Sequence, residues 1–487
     1  MTVPYTFATA SSPIPLAQLD ANFAAIGGTG NITFTSTYTG AVSRSLTSKL
    51  QDIVSVKDFG AVGDGTNDDT TAIQEAINTG KRVYIPTGTY YITQPLTIST
   101  PGQMIDGDGR DVSTLKITAT FNLSANGVII FSTGEEGPQL QNFGMAFTQP
   151  DTATRASLTS YPVAIYAYNT PRFTIGSLKI TNASNGINMS GNCGGAFIDL
   201  LEMSAYGTGI YIDGSADTVR INKYHFYNFA MTSNQSSIFR TSPTRAFSIG
   251  RVDGLFINEF LNISNLGVYM YQSASGAPWV YISNSGFDTF NGIQQDGGSL
   301  QMINSYITNA PGGGYFGIQV NSNGTFSQFN NCLFFASTDS GPSMIKVSGT
   351  GSEVTISNSR FSNYINAQAI VYCEGTNNFL NVANCTFDPG SSNGFFVWGV
   401  GTNCKVHVLN NFVNTTPNAS YTQPMIYITT GNRTYICGNR IQDKGTNAAT
   451  FINIQTDDFN WVSGNIAPGW TNSFPSATTG YYSNNLT

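Results

Sequence analysis

The sequence predicts an all-β chain wound as a right-handed, single-stranded parallel β-helix with a short capping helix near its start. Three observations predict it: a motif that returns about every 26 residues, apolar alternation with period two inside each copy, and almost no helical periodicity after residue 80. The motif is apolar-x-apolar-x-Asn-(Ser/Asn/Cys)-x-apolar. It reads VYISNSGF at 280–287, VTISNSRF at 354–361 and LNVANCTF at 380–387. Its Asn slot falls at Asn284, Asn304, Asn331, Asn358, Asn384, Asn410, Gly438 and Gly464, in steps of 20, 27, 27, 26, 26, 28 and 26.

A second strand recurs in each copy, as in GIYIDG (209–214), GIQQDG (292–297) and AIVYCEG (369–375). Two or three short strands turned by Asn and Gly describe one solenoid coil, whereas a propeller blade needs about four strands and ~40 residues. Asn suits the slot because it tolerates a left-handed turn, and stacked Asn side chains satisfy backbone groups from coil to coil. Cys332 and Cys385 follow the slot two coils apart, ~9–10 Å, too far for a disulfide, so buried free thiols are expected.

Composition excludes other classes. The chain has 487 residues, only 10% of them charged, a net charge of -7 and 12% aromatics, so it is not a disordered acidic chain. A pI near 4.8 without a basic cluster speaks against nucleic acid. No apolar stretch approaches the ~20 residues of a membrane span, and the N-terminus lacks the pattern of a secretory signal. Two scattered histidines and no Cys-x-x-Cys offer no metal site, and no cofactor motif is present.

The one amphipathic helix is expected at 68–79, with Ala72, Ile73, Ala76 and Ile77 on one side and Asp68 and Asp69 at its start. Laid across the first open rung, it would shield that edge. Expected segments are an attachment and neck stretch (1–52), the helix and first strands (53–95), the β-helix (96–458) and a C-terminal coil and cap (459–487).

The segment VSVKDFGAVGDGTNDDTTAIQEAINTGKRVYIPTGTYYIT at 54–93 closely resembles the opening of the pectate-lyase-like β-helix superfamily, as found in bacteriophage tailspikes. Residues 1–26 resemble the start of phage tail proteins, and 43–61 the neck that follows it. The resemblance covers about the first 95 residues by motif and the remainder by architecture. It implies a homotrimeric tailspike made in the bacterial cytoplasm. Such a spike is carried on the virion tail by its N-terminus and binds, and usually cuts, a bacterial surface polysaccharide. The superfamily's plant-pectin hydrolases carry an Asn-Thr-Asp triplet and a Gly-His-Gly. Neither occurs here, so Asp58, Asp64, Asp68 and Asp69 are read as turn and helix caps.

Site candidates come from where the repeat breaks. Between 177 and 259 the slot holds Ser177, Leu200, Lys223 and Glu259, and one step swells to 36, inserting residues 228–250. Loops thrown from a coil tend to build the binding face. Hydrolysis of a glycosidic bond needs two carboxyl groups, about 5 Å apart for retention and about 6.5–9.5 Å for inversion. Asp199 and Glu202, flanking a turn at Leu200, are the first pair, with Asp213 beside them and Asp253 and Glu259 bordering the insertion. Lys179, Glu202 and His225 are expected in one column across three coils. A surface salt ladder is the alternative for that column, and turn capping the alternative for Asp213. Glu353 and Glu374 are read as solvated.

Lys179, His225, Tyr211, Tyr269 and Arg245 are the candidate substrate-binding residues. The outward positions Asn188, Tyr211, Tyr269, Gln294, Gln319, Lys346 and Tyr372 would form a groove for a long neutral or cationic glycan, or pack against a trimer neighbour. The leading expectation is an endo-glycosidase acting on capsule or O-antigen, in which Glu202→Gln abolishes cleavage. One rival is a polysaccharide lyase with His225, Tyr224 or Lys223 as base. The other is a spike that only adheres.

Overall fold

The computed structural model describes Ala21 and residues 32–485, apart from 133, 135, 310–315, 337–342, 363–368, 389–394, 415–422, 430, 443–449, 456–458, 475–479 and 484. The expected attachment segment therefore lies largely outside the described residues.

Alternating apolar and polar residues force each strand to turn one face inward, and successive coils stack those faces in register. One such column runs Ile210, Phe247, Val268, Ile293, Ile318, Ile345, Val371 and Val397, all buried. Among the described residues, fifteen strands, from Leu96–Ile98 to Thr471–Ser473, form one parallel sheet, and 29 more form the other faces. The result is a right-handed parallel β-helix. Rings stack inside it at the rung spacing: Phe334 on Phe361 at 4.7 Å and Phe361 on Phe387 at 4.6 Å.

The Asn slot is a left-handed corner. Asn284, Asn304, Asn331, Asn358, Asn384 and Asn410 have φ of 50–54°, and Gly438 and Gly464 take the same turn. Ser177, Leu200 and Lys223 do not adopt it and so avoid the about 1–2 kcal/mol that a left-handed conformation costs an ordinary side chain, a cost that Glu259 bears. There the strands Thr174–Ala183, Phe197–Ala205 and Ser215–Phe226 run straight through the corner, which corrects the expected turn at Leu200. Those long strands pair with shorter strands on both sides of the corner and so join the two faces into one sheet. The corner resumes at Glu259, with φ 48°.

An amide ladder, buried at Asn411, Asn439 and Asn465, sits one residue beyond the slot. Asn411 donates to Asn439 (3.0 Å), Asn439 to Asn465 (2.9 Å) and Asn465 to Asn485 (2.9 Å), while each amide oxygen also accepts a backbone N–H. Cys332 and Cys385 occupy this interior column as free thiols, their pKa pushed up by burial to about 11 and about 12.

At the front, the helix spans Thr70–Asn78 and buries Ile73, Ala76 and Ile77. The Gln74 side chain exchanges two hydrogen bonds with the backbone of Thr97, on the outermost strand of the 15-stranded sheet (2.8 and 3.0 Å). Asp68 and Asp69 stand at the start of the helix as expected, Asp69 as the N-cap residue, whose carbonyl accepts from Ile73 N–H (3.0 Å). Asp68 accepts from Thr70 N–H, and Asp69 ties the loop at Val62 and Gly63. Asp64 closes a turn onto the Thr66 and Asn67 N–H groups, which hold its pKa at about 2. Asp58 completes a capping box with Ser55.

Candidate functional site: a cleft between the insertion and the long sheet

The insertion folds into a wall. Thr232 and Gln235 form a capping box that starts the helix Ser233–Phe239, whose Ile238 and Phe239 turn inward, Phe239 packing on Phe226 at 5.0 Å. Gln235 donates to the Pro150 carbonyl (2.9 Å), and Asp151 accepts from Thr232 (2.6 Å). Arg155 reaches in from another coil, donating to the carbonyls of Tyr206, Ile238 (2.8 Å) and Thr241 (3.1 Å) and to the Thr244 hydroxyl (2.8 Å).

Between this wall and the outer face of the 15-stranded sheet lies a cleft of about 640 Å³. The wall contributes Arg240, Thr241, Ser242 and Pro243, and the sheet side Arg245, Tyr269, Gln294, Phe316 and Gln319, with Phe290 beside them. The guanidinium of Arg245 lies 4.9 Å from the centre of the Tyr269 ring, and that of Arg240 lies 5.3 Å from the Phe290 ring. The outward column expected from the sequence is in register: Asn188, Tyr211, Ser248, Tyr269, Gln294, Gln319, Lys346, Tyr372 and then Trp398. Ser248 fills the coil that the insertion obscured.

Beside this column runs another that carries acids. Asp213 accepts from Arg251 N–H (2.9 Å) and Ser273 Oγ (2.7 Å), so it ties coils together. Asp296 accepts from Gln294 (2.8 Å) and Asn321 (2.9 Å). It also lines a second hollow of about 480 Å³ on the same strand, Asn291–Asp296. The Tyr269 phenol has its pKa raised, first by burial and then by the charge and hydrogen bonding of Asp296.

The other sequence candidates lie on the neighbouring faces. Lys179, Glu202 and His225 do stand in one column. Glu202 is held by Arg110 at 2.8 Å, with Lys179 3.9 Å away, and Lys179 itself pairs with Asp111 at 2.6 Å. The His225 ring packs on Phe229 at 5.0 Å, and burial lowers its pKa against the opposing charge of Glu202. Asp199 accepts from Asn222 (2.8 Å), which in turn accepts from Asn258 (3.3 Å). Asp253 pairs with Arg251 (3.2 Å) and Glu259 with Lys223 (3.3 Å). Tyr224 is fully buried, which removes it as a base, and Glu374 is ion-paired with Lys346 (2.7 Å) rather than simply solvated. Three residue steps of strand carry Asp199 to Glu202, ~10 Å along the backbone.

Sequence reasoning passed over Arg240, Phe290, Phe316 and the anchor Arg155, and named Asp296 only as a column member. Arg240 lay in the quoted insertion and Asp296 in a recognised column, so both were within reach. Arg110 is 92 residues from Glu202, and no sequence signal joins them. Among the described residues, no three His, Cys, Asp or Glu side chains gather as a metal set, and no helix is long and apolar enough to cross a membrane.

Residues 53–137 match the family model of rhamnogalacturonase A/epimerase, pectate lyase-like. By fold, the chain is a right-handed parallel β-helix. This β-helix is 37% identical over 103 residues to mannuronan C5-epimerase AlgE2 of Azotobacter vinelandii, a match spanning 19% of this chain and 10% of that protein. It is 41% identical over 66 residues to the tail spike protein of an Escherichia phage, spanning 14% of this chain and 8% of that one. A mutant tailspike of E. coli bacteriophage HK620, solved in complex with a pentasaccharide, superimposes with a TM-score of 0.59 at 14% identity, covering 96% of this chain and 84% of that chain.

Proposed function

We propose that this chain is a phage tailspike depolymerase that lays a bacterial surface polysaccharide along the outer face of the 15-stranded sheet and cuts it internally. The observation that carries the reading is the cleft: at the largest interruption of the repeat, a pinned wall faces a rigid sheet bearing Tyr269, Phe290 and Phe316. A pre-formed groove binds a long chain with little ordering cost, and aromatic faces suit the apolar faces of sugars. The epimerase and tail spike relatives and the tailspike-like fold support it. In this reading the protein is made in the bacterial cytoplasm, assembles as a homotrimer, attaches to the tail through residues 1–52 and acts at the host surface.

For hydrolysis, this reading assigns the proton for the leaving oxygen to Asp296, which lies outside the cleft lining but is hydrogen-bonded to Gln294 within it (2.8 Å). Asp213 stands three rungs back, ~14 Å, beyond the ~9.5 Å at which two carboxyl groups serve one glycosidic bond. Asp296 acts instead on the Tyr269 phenol, one carboxylate beside one phenol, and this favours a second reading, β-elimination, in which the Asp296 carboxylate takes the proton next to a sugar carboxyl group and the Tyr269 phenol gives its proton to the leaving oxygen.

Incubating the purified protein with a panel of capsular polysaccharides tests both readings. Internal cleavage appears as an early fall in polymer length, and elimination adds an ultraviolet-absorbing unsaturated sugar that hydrolysis does not make. Binding with no fall in length would leave an adhesin in place of an enzyme.

A further inference from the structure

We infer that the cleft selects an anionic glycan, one bearing carboxylate or phosphate groups, through Arg240 and Arg245. The inference deepens the proposed function and rests on it. The polar and aromatic column read from the sequence suggested a groove for neutral or cationic sugars, and the whole chain carries a net charge of -7. The local arrangement is the opposite. No Asp or Glu is among the residues that line the cleft, and neither arginine has a carboxylate partner among the described residues. Global charge acts weakly here, since salt screens charges beyond ~8 Å, whereas a group seated in the cleft meets the two guanidinium groups directly.

Each guanidinium is also pre-positioned. Arg245 opens the strand Arg245–Ile249, lies over the Tyr269 ring and, among the described residues, donates through its Nε–H alone, to the Pro243 carbonyl at 3.3 Å. Arginine has five N–H donors in a planar fork that matches a carboxylate or phosphate, so the outer edge of the fork is free to bind one in bidentate fashion. Arg240 ends the helix Ser233–Phe239 and is oriented by Phe290. Arg155, half-buried behind them, fixes the segment that carries both. Stacking leaves the arginines few rotamers to lose, which is where a lysine at the same place would be poorer.

The test measures binding of the full chain to a panel of purified capsular polysaccharides, some neutral, some rich in uronic acid and some with phosphodiester links. Each uronic acid polymer is also tested after its carboxyl groups have been reduced to alcohols. The expected result is binding confined to charged polymers, weakened about tenfold or more by carboxyl reduction or by Arg245→Gln, and further by adding Arg240→Gln. Arg245→Lys should fall between the native protein and Arg245→Gln, and unchanged melting temperatures show that the variants fold. The uronic acid and phosphodiester arms distinguish the two sources of charge. Binding of neutral polymers alone, or undiminished binding of charged polymer by the double variant, would overturn the inference and leave the depolymerase reading standing. Failure of every polymer to bind would overturn both.

Discussion

The guanidinium of Arg155 donates to the carbonyl of Ile238 at 2.8 Å across 83 residues of sequence, and so fastens the end of the inserted helix to the solenoid. The same group also serves Tyr206, Thr241 and Thr244. Arg155→Met keeps the apolar stem but orphans these acceptors. We expect a local loss of ~2–3 kcal/mol, seen as faster hydrogen exchange and proteolysis within 228–244 and weaker glycan binding, while the distant coils keep their protection. Unaltered exchange in 228–244 would show that the wall stands without this anchor.

Glu202 and Asp296 should behave differently when neutralised. Glu202→Gln loosens the contact with Arg110 and Lys179 but leaves the cleft intact, so cleavage persists within a few-fold of the native rate. Asp296→Asn should lower the cleavage rate by ~100-fold or more while binding survives. This reverses the expectation from sequence that Glu202 is the decisive acid. Loss of cleavage in Glu202→Gln, with Asp296→Asn fully active, would restore it.

The interior amide ladder makes Asn439 a sensitive position. Its oxygen accepts from both the backbone N–H and the side-chain amide of Asn411, and its amide donates to Val408 (2.7 Å) and Asn465. Asn439→Ala should destabilise the C-terminal coils by ~3 kcal/mol, read as a lower denaturant midpoint. The same change at the exposed slot residue Asn331, which has one side-chain bond to Asn304, should lack the burial cost and act mainly through its left-handed φ.

Stability should fall on mild acidification. Burial lowers the pKa of both His225 and His407, the latter also opposed by Lys405. Histidine in the unfolded chain titrates near ~6.5, so between that value and the lower folded value the unfolded state binds more protons. The stability is therefore full above about pH 6.5 and is lost as pH falls through the folded pKa values. Melting temperatures taken between about pH 7.5 and about pH 5 should drop for the native chain and drop less for His225→Gln with His407→Gln. Parallel curves would rule out these two residues as the cause.

The repeat was legible because a solenoid is nearly one-dimensional: each coil meets only its neighbours, so the periodicity of contacts is also a periodicity of residues. Asn284, Asn304 and Asn331 announced the corner, and Leu200 marked where it is missing, though not that the strand would run straight through it. The site was harder to read. Asp199, Asp213 and Glu202 looked chemically available because their partners Asn222, Ser273 and Arg110 lie 23, 60 and 92 residues away.

Local spacing thus determined the winding, the corners, the outward column with Tyr211 and Tyr269, and the place of the insertion, since each depends on residues a coil or less apart. The tertiary structure decided which acids are already engaged, that the insertion returns over the 15-stranded sheet, and that Arg240 and Arg245 face a cleft without an opposing carboxylate. Those outcomes depend on distances through space between segments that no periodicity links, and on side-chain directions that spacing along a strand does not fix.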